Sequence, residues 1–251
     1  MHLKICHLYP DLMDLYGDRG NIIALVQRCR WRGIDVEVGY VTLEQPVDFR
    51  DWDIVFMGGG SDREQGILFS DLCDRRDNLA AAIDDGLVLL GICGGLQLLG
   101  KYYQIAEGDK IPGVDILDLW TVAGDKRLIG NVCIESHFLS ERAELFGSIK
   151  LETLVGFENH SGQTFLGNVE PLGKVIKGSG NNGKDGSEGV RYKNVFGTYL
   201  HGPLLPKNPH FADFLLYHAV ERRWGQRHLN KLDDTLELEA HRYMANRLKQ
   251  Q

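Results

Sequence analysis

The chain lacks what would mark a secreted, membrane-spanning or nucleic-acid-binding protein. Its cysteines, Cys6, Cys29, Cys73, Cys93 and Cys133, number only five in 251 residues and are scattered. They spell out neither a disulfide framework nor a CxxC metal site, and a reducing cytoplasm suits them. No His-Glu-x-x-His or clustered Cys/His spacing occurs, so the sequence offers no metal site. No Lys/Arg cluster relieves a formal net charge of −7, which excludes a general nucleic-acid binder. The N-terminus has no long apolar core of the signal-peptide kind, and no hydrophobic run approaches the roughly 20 residues that span a bilayer. Any membrane contact is therefore expected to be peripheral.

What is present is an ordinary soluble composition, 43% hydrophobic and 25% charged, at a length that suits one well-buried α/β domain with appended helices. The most informative stretch is residues 86–100. Leucine, valine and isoleucine run without alternation to Ile92, as in a strand covered on both faces of a parallel sheet. The run reaches Cys93, and after Gly94 and Gly95 apolar residues restart at helical spacing. That pattern predicts a thiol in a strand-to-helix elbow. Glycines let the backbone turn sharply and approach a ligand, while the positive end of a helix dipole favours a thiolate. A cysteine buried for packing needs neither.

Around it, residues 3–9 read as a strand, 10–21 as a working loop too polar and glycine-broken for core, 22–29 as a helix and 34–41 as a second strand. Strand, helix, strand makes a parallel unit. Residues 53–57 lead into Gly58, Gly59 and Gly60, and Ser61 and Glu64 have capping-box spacing ahead of a long helix. Open α/β sheets bind ligands outside the carboxyl ends of their strands, which brings this turn and the Cys93 elbow to one edge. From residue 127 the chain turns β-rich, with short strands expected at 128–134, 151–157, 174–176 and 190–200. Residues 177–188 read as a flexible hairpin loop. They nearly spell a phosphate-binding loop, but Asp185 stands where a hydroxyl is needed and a strand follows, which argues against ATP there. Asn208 and Pro209 open a helix with Phe211, Phe214 and Leu215 on one face. A last helix near 235–248 places Leu236, Tyr243, Met244 and Leu248 on one stripe. The expected division is residues 1–205 as the main domain and 206–251 as helices packed on it.

A thiolate nucleophile calls for a base that later serves as acid, usually histidine. His201, held where a long apolar strand gives way to Gly202 and Pro203, is the first candidate and His160 the rival. His210, His218, His228 and His241 fall on or beside C-terminal helices and are expected at the surface.

The elbow from Gly91 through Cys93 to Gln97, together with Thr198-Tyr199-Leu200-His201-Gly202, resembles the triad-type (class I) glutamine amidotransferases, in the branch containing cobyric acid synthase. Within it, the stretches 9–21, 56–62, 126–131 and 156–162 are similar to the family of small glutaminase subunits of lipid II isoglutaminyl synthases. The resemblance runs from residue 3 to about 215. It implies a flavodoxin-like α/β fold, a mostly parallel sheet flanked by helices, with a β-rich second half and C-terminal helices. It also implies Cys93 as nucleophile, His201 as acid/base, Arg127 and Gln97 as substrate-binding residues, and Gly59 and Gly94 as oxyanion donors. No cofactor is implied for this chain. ATP and magnesium belong on a Mur ligase-like partner that would use ammonia, drawn from L-glutamine, to amidate the D-glutamate of lipid II. A heterodimer in the cytoplasm, peripheral at the inner membrane face through the complex, follows from the same resemblance.

One departure stands out. Many relatives place a glutamate two residues after the histidine, but here that residue is Pro203. The orienting carboxylate is expected from elsewhere, with Glu158 the candidate in this chain, or on loan from the partner, the alternative favoured here. Competing readings are the amidotransferase part of a cobyrinate-type amidase, a silent scaffold subunit, and a stand-alone cysteine hydrolase.

Overall fold

The structure, a computed structural model, describes residues 1–105, 108–146, 151–225 and 228–250, with the side chains of 142–146 left out of the description. Strand β1 (His2–Leu8), helix α1 (Arg19–Trp31) and strand β2 (Asp35–Val41) form the expected parallel unit, with α1 starting three residues earlier than its apolar spacing suggests. Then come β3 (Ile54–Met57), α2 (Asp62–Asp74), α3 (Arg76–Asp84), β4 (Val88–Ile92) and the short α4 (Gly94–Leu99). Every residue of β3 and β4 is buried, which accounts for their lack of alternation. The Ser61–Glu64 capping box forms, but the single long helix expected behind it breaks at Arg75 into α2 and α3.

A second sheet follows: β5 (Tyr102–Gln104), β6 (Lys110–Pro112), β7 (Leu119–Glu135), β8 (Thr153–Leu166), β9 (Gly173–Lys177) and β10 (Ser187–Glu188). Its order is β10-β9-β7-β5-β6, with β8 also paired on β7. The β7–β8 pairing is antiparallel and shifts register between Ala123 and Leu128. The chain then returns to the first sheet as β11 (Val190–Tyr192) and β12 (Val195–Thr198). The run expected as one strand over 190–200 is thus a tight hairpin turning at Lys193, whose φ is +52°. The first sheet has the order β11-β12-β4-β3-β1-β2, and within it only β11 runs antiparallel to its neighbour.

The segment 177–188 is not a loose loop. Asn181 and Asn182 are buried, and their amides donate to the Gly189 and Thr164 carbonyls. A turn that saturates its own backbone groups in this way is held rather than flexible.

The chain ends in α5 (Leu204–Lys207), α6 (Pro209–Trp224) and α7 (Thr235–Lys249). Helix α6 is buried nearly all round, with Phe211, Phe214 and Leu215 in the core shared by both sheets. Its Asp213 takes hydrogen bonds from Arg28 (2.7 Å) and Arg32 (2.6 Å). Arg28 also reaches Asp234 at the start of α7, so one buried network ties α1, α6 and α7 together. Helix α7 packs a narrow stripe, Ala245 and Leu248 with Met244, on Cys133 and Val155. Leu236 and Tyr243, expected on that stripe, are 77% and 66% exposed. His210 and His241, expected at the surface, are buried. His210 Nε2 lies 2.9 Å from the Thr153 carbonyl, and His241 Nε2 lies 2.9 Å from the Thr153 hydroxyl.

Candidate active site

Cys93 stands between β4 and α4 with φ +51° and ψ −105°, a conformation that L residues rarely adopt. Its N–H donates to the Thr198 carbonyl (2.8 Å) on neighbouring β12, and its carbonyl receives the Gln97 N–H (3.0 Å). Glycine is required around it. A Cβ on Gly95 would fall 2.6 Å from the Met57 carbonyl oxygen, and one on Gly94 would fall 2.9 Å from the Gly60 nitrogen. The elbow and the Gly58–Gly60 turn therefore touch, backbone against backbone.

Parallel pairing sets Thr198 beside Ile92, so three residues later the chain delivers His201 next to Cys93. His201 is 1% exposed and exchanges two backbone hydrogen bonds with Phe157 of β8, which pins it between the sheets. Both neighbours converge on Gly59, whose Cβ would lie 3.3 Å from His201 Cε1 and 3.5 Å from the Cys93 Cβ. His201 Nδ1 lies 3.2 Å from Oδ1 of Asp18, a residue with no exposed surface at the start of α1. Burial works against the imidazolium, but Asp18 and Cys93 outweigh it and raise the His201 pKa to about 9. Its Nε2 is buried and, among the described residues, has no well-aligned hydrogen-bond partner.

Asp18, not Glu158, is thus the carboxylate on His201, and it comes from this chain rather than from a partner. Glu158 is turned away: its two oxygens accept the N–H groups of Ser179 (2.8 Å) and Gly180 (2.9 Å). A second buried acid, Glu188, takes the Thr198 hydroxyl (2.9 Å) and the Tyr199 N–H (2.7 Å) and so holds the strand end that carries His201. Burial pushes its pKa up to about 8.

Two other expected roles meet a different geometry. The Gly59 N–H donates to Asp18 Oδ2 (3.0 Å), so it is not directed at Cys93. Gly60, another glycine of the same turn, has its nitrogen against Gly94, 2.9 Å from where a Gly94 Cβ would stand. Gln97 spends its amide on the protein: Oε1 accepts from Gln65 (2.9 Å) and Nε2 donates to the Tyr199 hydroxyl (3.0 Å). It braces the helix behind the thiol.

Arg127, at the β7 register shift, is exposed; its Nε donates to Asn159 Oδ1 (2.6 Å) and its Nη2 to the Tyr16 hydroxyl (2.9 Å). His160, the rival histidine, stacks on Tyr199 at 3.7 Å and pairs its Nδ1 with the Gly162 carbonyl. Burial drops its pKa to about 4, so it is a neutral ring braced behind the site. Tyr16 and Asp18 lie in the polar, glycine-broken stretch 10–21 and Asn159 in 156–162, both within segments that carry the resemblance, but nothing in the spacing assigns these three residues a role. At the far end of β7, Glu135, His137 and Glu152 bring potential ligand atoms within 4.8 Å of one another, a half-exposed grouping separated in sequence by 1 and 14 residues.

Among known proteins, a family model described as a CobB/CobQ-like glutamine amidotransferase domain matches residues 4–209. The chain is 42% identical over 252 residues to lipid II isoglutaminyl synthase (glutamine-hydrolyzing) subunit GatD of Staphylococcus aureus, covering 100% of this chain and 98% of that one. The subunit of the same name from Streptococcus pneumoniae is 41% identical, covering 89% of this chain and 83% of that one. A probable cobyric acid synthase of Methanothermobacter thermautotrophicus is 30% identical, covering 88% of this chain and 48% of that one. A glutamine amidotransferase structure from Thermotoga maritima superposes with TM-score 0.52 at 17% identity, covering 100% of this chain and 94% of that one, a likeness of fold alone.

Proposed function

This chain belongs to the CobB/CobQ-like glutamine amidotransferase family, and from that premise we propose that it is the glutamine-hydrolysing subunit of a lipid II isoglutaminyl synthase. The observation that carries the reading is the buried Cys93–His201–Asp18 alignment at the carboxyl ends of parallel strands. Asp18 fixes the imidazole through Nδ1, leaving Nε2 for the thiol. The Cys93 sulfur attacks the side-chain carbonyl carbon of glutamine, and the Gly94 and Gly60 N–H groups receive the oxyanion. His201 gives its proton to the departing nitrogen, ammonia leaves, and a γ-glutamyl thioester stays on Cys93. Water, deprotonated by the same imidazole, then breaks the C–S bond and frees glutamate.

Ammonia is lost to protonation in bulk water, so the reading includes a synthetase partner. That partner is a Mur ligase-like subunit that holds ATP and magnesium and activates the α-carboxylate of D-glutamate in lipid II. Amidation there gives D-isoglutamine. Lipid II would be met through that partner; no helix among the described residues of this chain is long and apolar enough to cross a membrane.

The test is ammonia and glutamate release from L-glutamine by the chain co-purified with its partner, beside the Cys93→Ala variant. Loss of a nucleophile that acts in concert with its base is expected to cost at least about 10³-fold in turnover. A glutamine-mimicking electrophile should add its mass at Cys93 alone. Undiminished hydrolysis by Cys93→Ala would refute the proposal.

A further inference from the structure

The segment just ahead of α1 touches the glycine turn, the imidazole and the guanidinium of the candidate site. Leu15 donates its N–H to the Gly59 carbonyl (3.2 Å), Tyr16 lays its ring edge on His201 with centroids 4.9 Å apart, and Asp18 holds both His201 and the Gly59 N–H. Within it Tyr16 is anomalous. Its φ and ψ of 57° and 24° put a bulky aromatic in the left-handed region, at a cost of about 1–3 kcal/mol. Packing does not repay that cost, since the side chain is 44% exposed. What the conformation achieves is placement: the phenol oxygen is brought within 2.9 Å of Arg127 Nη2, while Asn159 fixes the same guanidinium through Nε.

We propose that Tyr16 is a recognition residue for the α-carboxylate of the amide substrate, acting jointly with Arg127. A hydroxyl that accepts from a guanidinium keeps its own proton to donate, and that proton is polarised by the bond it has accepted. Nη2 also donates to the Asn159 carbonyl (3.5 Å), so the pair offers a carboxylate the Tyr16 O–H and the N–H groups of Arg127 Nη1, the latter charge-assisted, in an orientation fixed before binding. The ring, set edge-on against His201, ties that receptor to the imidazole, so a substrate held by its carboxylate is placed relative to Nε2 and the thiol. The substrate class is then a free α-amino acid, not a glutamine whose α-carboxylate is amidated or in peptide linkage.

This inference rests on the glutaminase reading, and its test separates the two. Wild-type and Tyr16→Phe complexes are compared on L-glutamine and on L-glutaminamide, which keeps the scissile amide and lacks the carboxylate. For glutamine, the variant is expected to lose about tenfold in kcat/KM, mostly through KM. For glutaminamide it should change less than about twofold, and the pH profile of kcat should stay put, which a general loosening of the site would not allow. In a Cys93→Ala background, Tyr16→Phe should weaken equilibrium binding of L-glutamine by the same factor. Equal losses on both amides, or unaltered glutamine kinetics, overturn the inference while leaving the glutaminase reading intact. A wild-type complex that hydrolyses neither amide overturns both.

Discussion

The two sheets serve the candidate site in different ways. The parallel sheet presents reacting groups at strand ends: Cys93 beyond β4, His201 beyond β12 and the glycine turn beyond β3. There the aim is set by backbone pairing, because neighbouring parallel strands finish at one edge whatever their side chains do. The second sheet contributes from mid-strand, with Arg127 and Asn159 meeting across the β7–β8 hairpin near its register shift. Their aim depends on pairing register, which one inserted residue would reverse. On the proposed reading, chemistry is placed where strand ends set the aim and recognition where pairing register sets it.

Asp18 belongs to neither sheet, and replacing it breaks the comparison most sharply. In Asp18→Asn the amide leaves the shape intact but no longer stabilises an imidazolium, and kcat for glutamine is expected to fall about 10²-fold with KM little changed. Stability should respond as well. The His201 pKa is raised to about 9, so the stabilisation that its pairing with Asp18 contributes is fully present below the ordinary value of about 6.5 and is lost as pH rises through about 9. The gap in melting temperature between wild type and variant should therefore be widest near about pH 6 and nearly closed by about pH 10. A gap that does not vary with pH would mean Asp18 acts through packing alone. With a carboxylate supplied by its own chain, the glutaminase should not depend on a partner to orient its histidine.

That acid also marks where sequence reading stopped. The Cys93 elbow, the glycine turn and the α/β alternation were legible because each is local: apolar run, glycines and helical spacing lie within about a dozen residues. His201 was legible because a strand visibly ends there. Asp18 and His201 are 183 positions apart, and no spacing rule connects two loops that meet only when β1, β3, β4 and β12 have taken their places. Glu158 stood as the candidate for the carboxylate missing at Pro203, but its oxygens accept from the 179–180 turn. The buried His210 and His241 were misread because they fall on C-terminal helices expected to turn such residues to solvent, whereas each has a backbone or hydroxyl partner supplied by another element.

Glu158 offers a smaller effect, and one of the opposite kind. In Glu158→Gln one of the two N–H groups of the 179–180 turn, one buried and one partly buried, loses its acceptor, which is expected to cost about 1–3 kcal/mol of stability by denaturant unfolding. Turnover should stay within about threefold of wild type, because neither oxygen approaches an imidazole nitrogen. If turnover collapsed while stability held, Glu158 would have to be returned to the catalytic group and the division between the sheets redrawn.

The smallest effect concerns the outer limit of the second sheet's support. Helix α7 covers β7 and β8 through Ala245 and Leu248, while Leu236, at its first turn, stands 77% exposed. Part of the Leu236 side chain borders a cavity of about 450 Å³ that also reaches Pro206, His241 and Met244. A leucine so exposed has little apolar area to lose, so Leu236→Ser should shift unfolding free energy by no more than about 0.5 kcal/mol and leave glutaminase kinetics unchanged. A larger loss in the isolated chain would show that the first turn of α7 closes down over the cavity in solution. No change alone, but weakened association with the synthetase subunit, would instead place that leucine at a surface covered only in the complex.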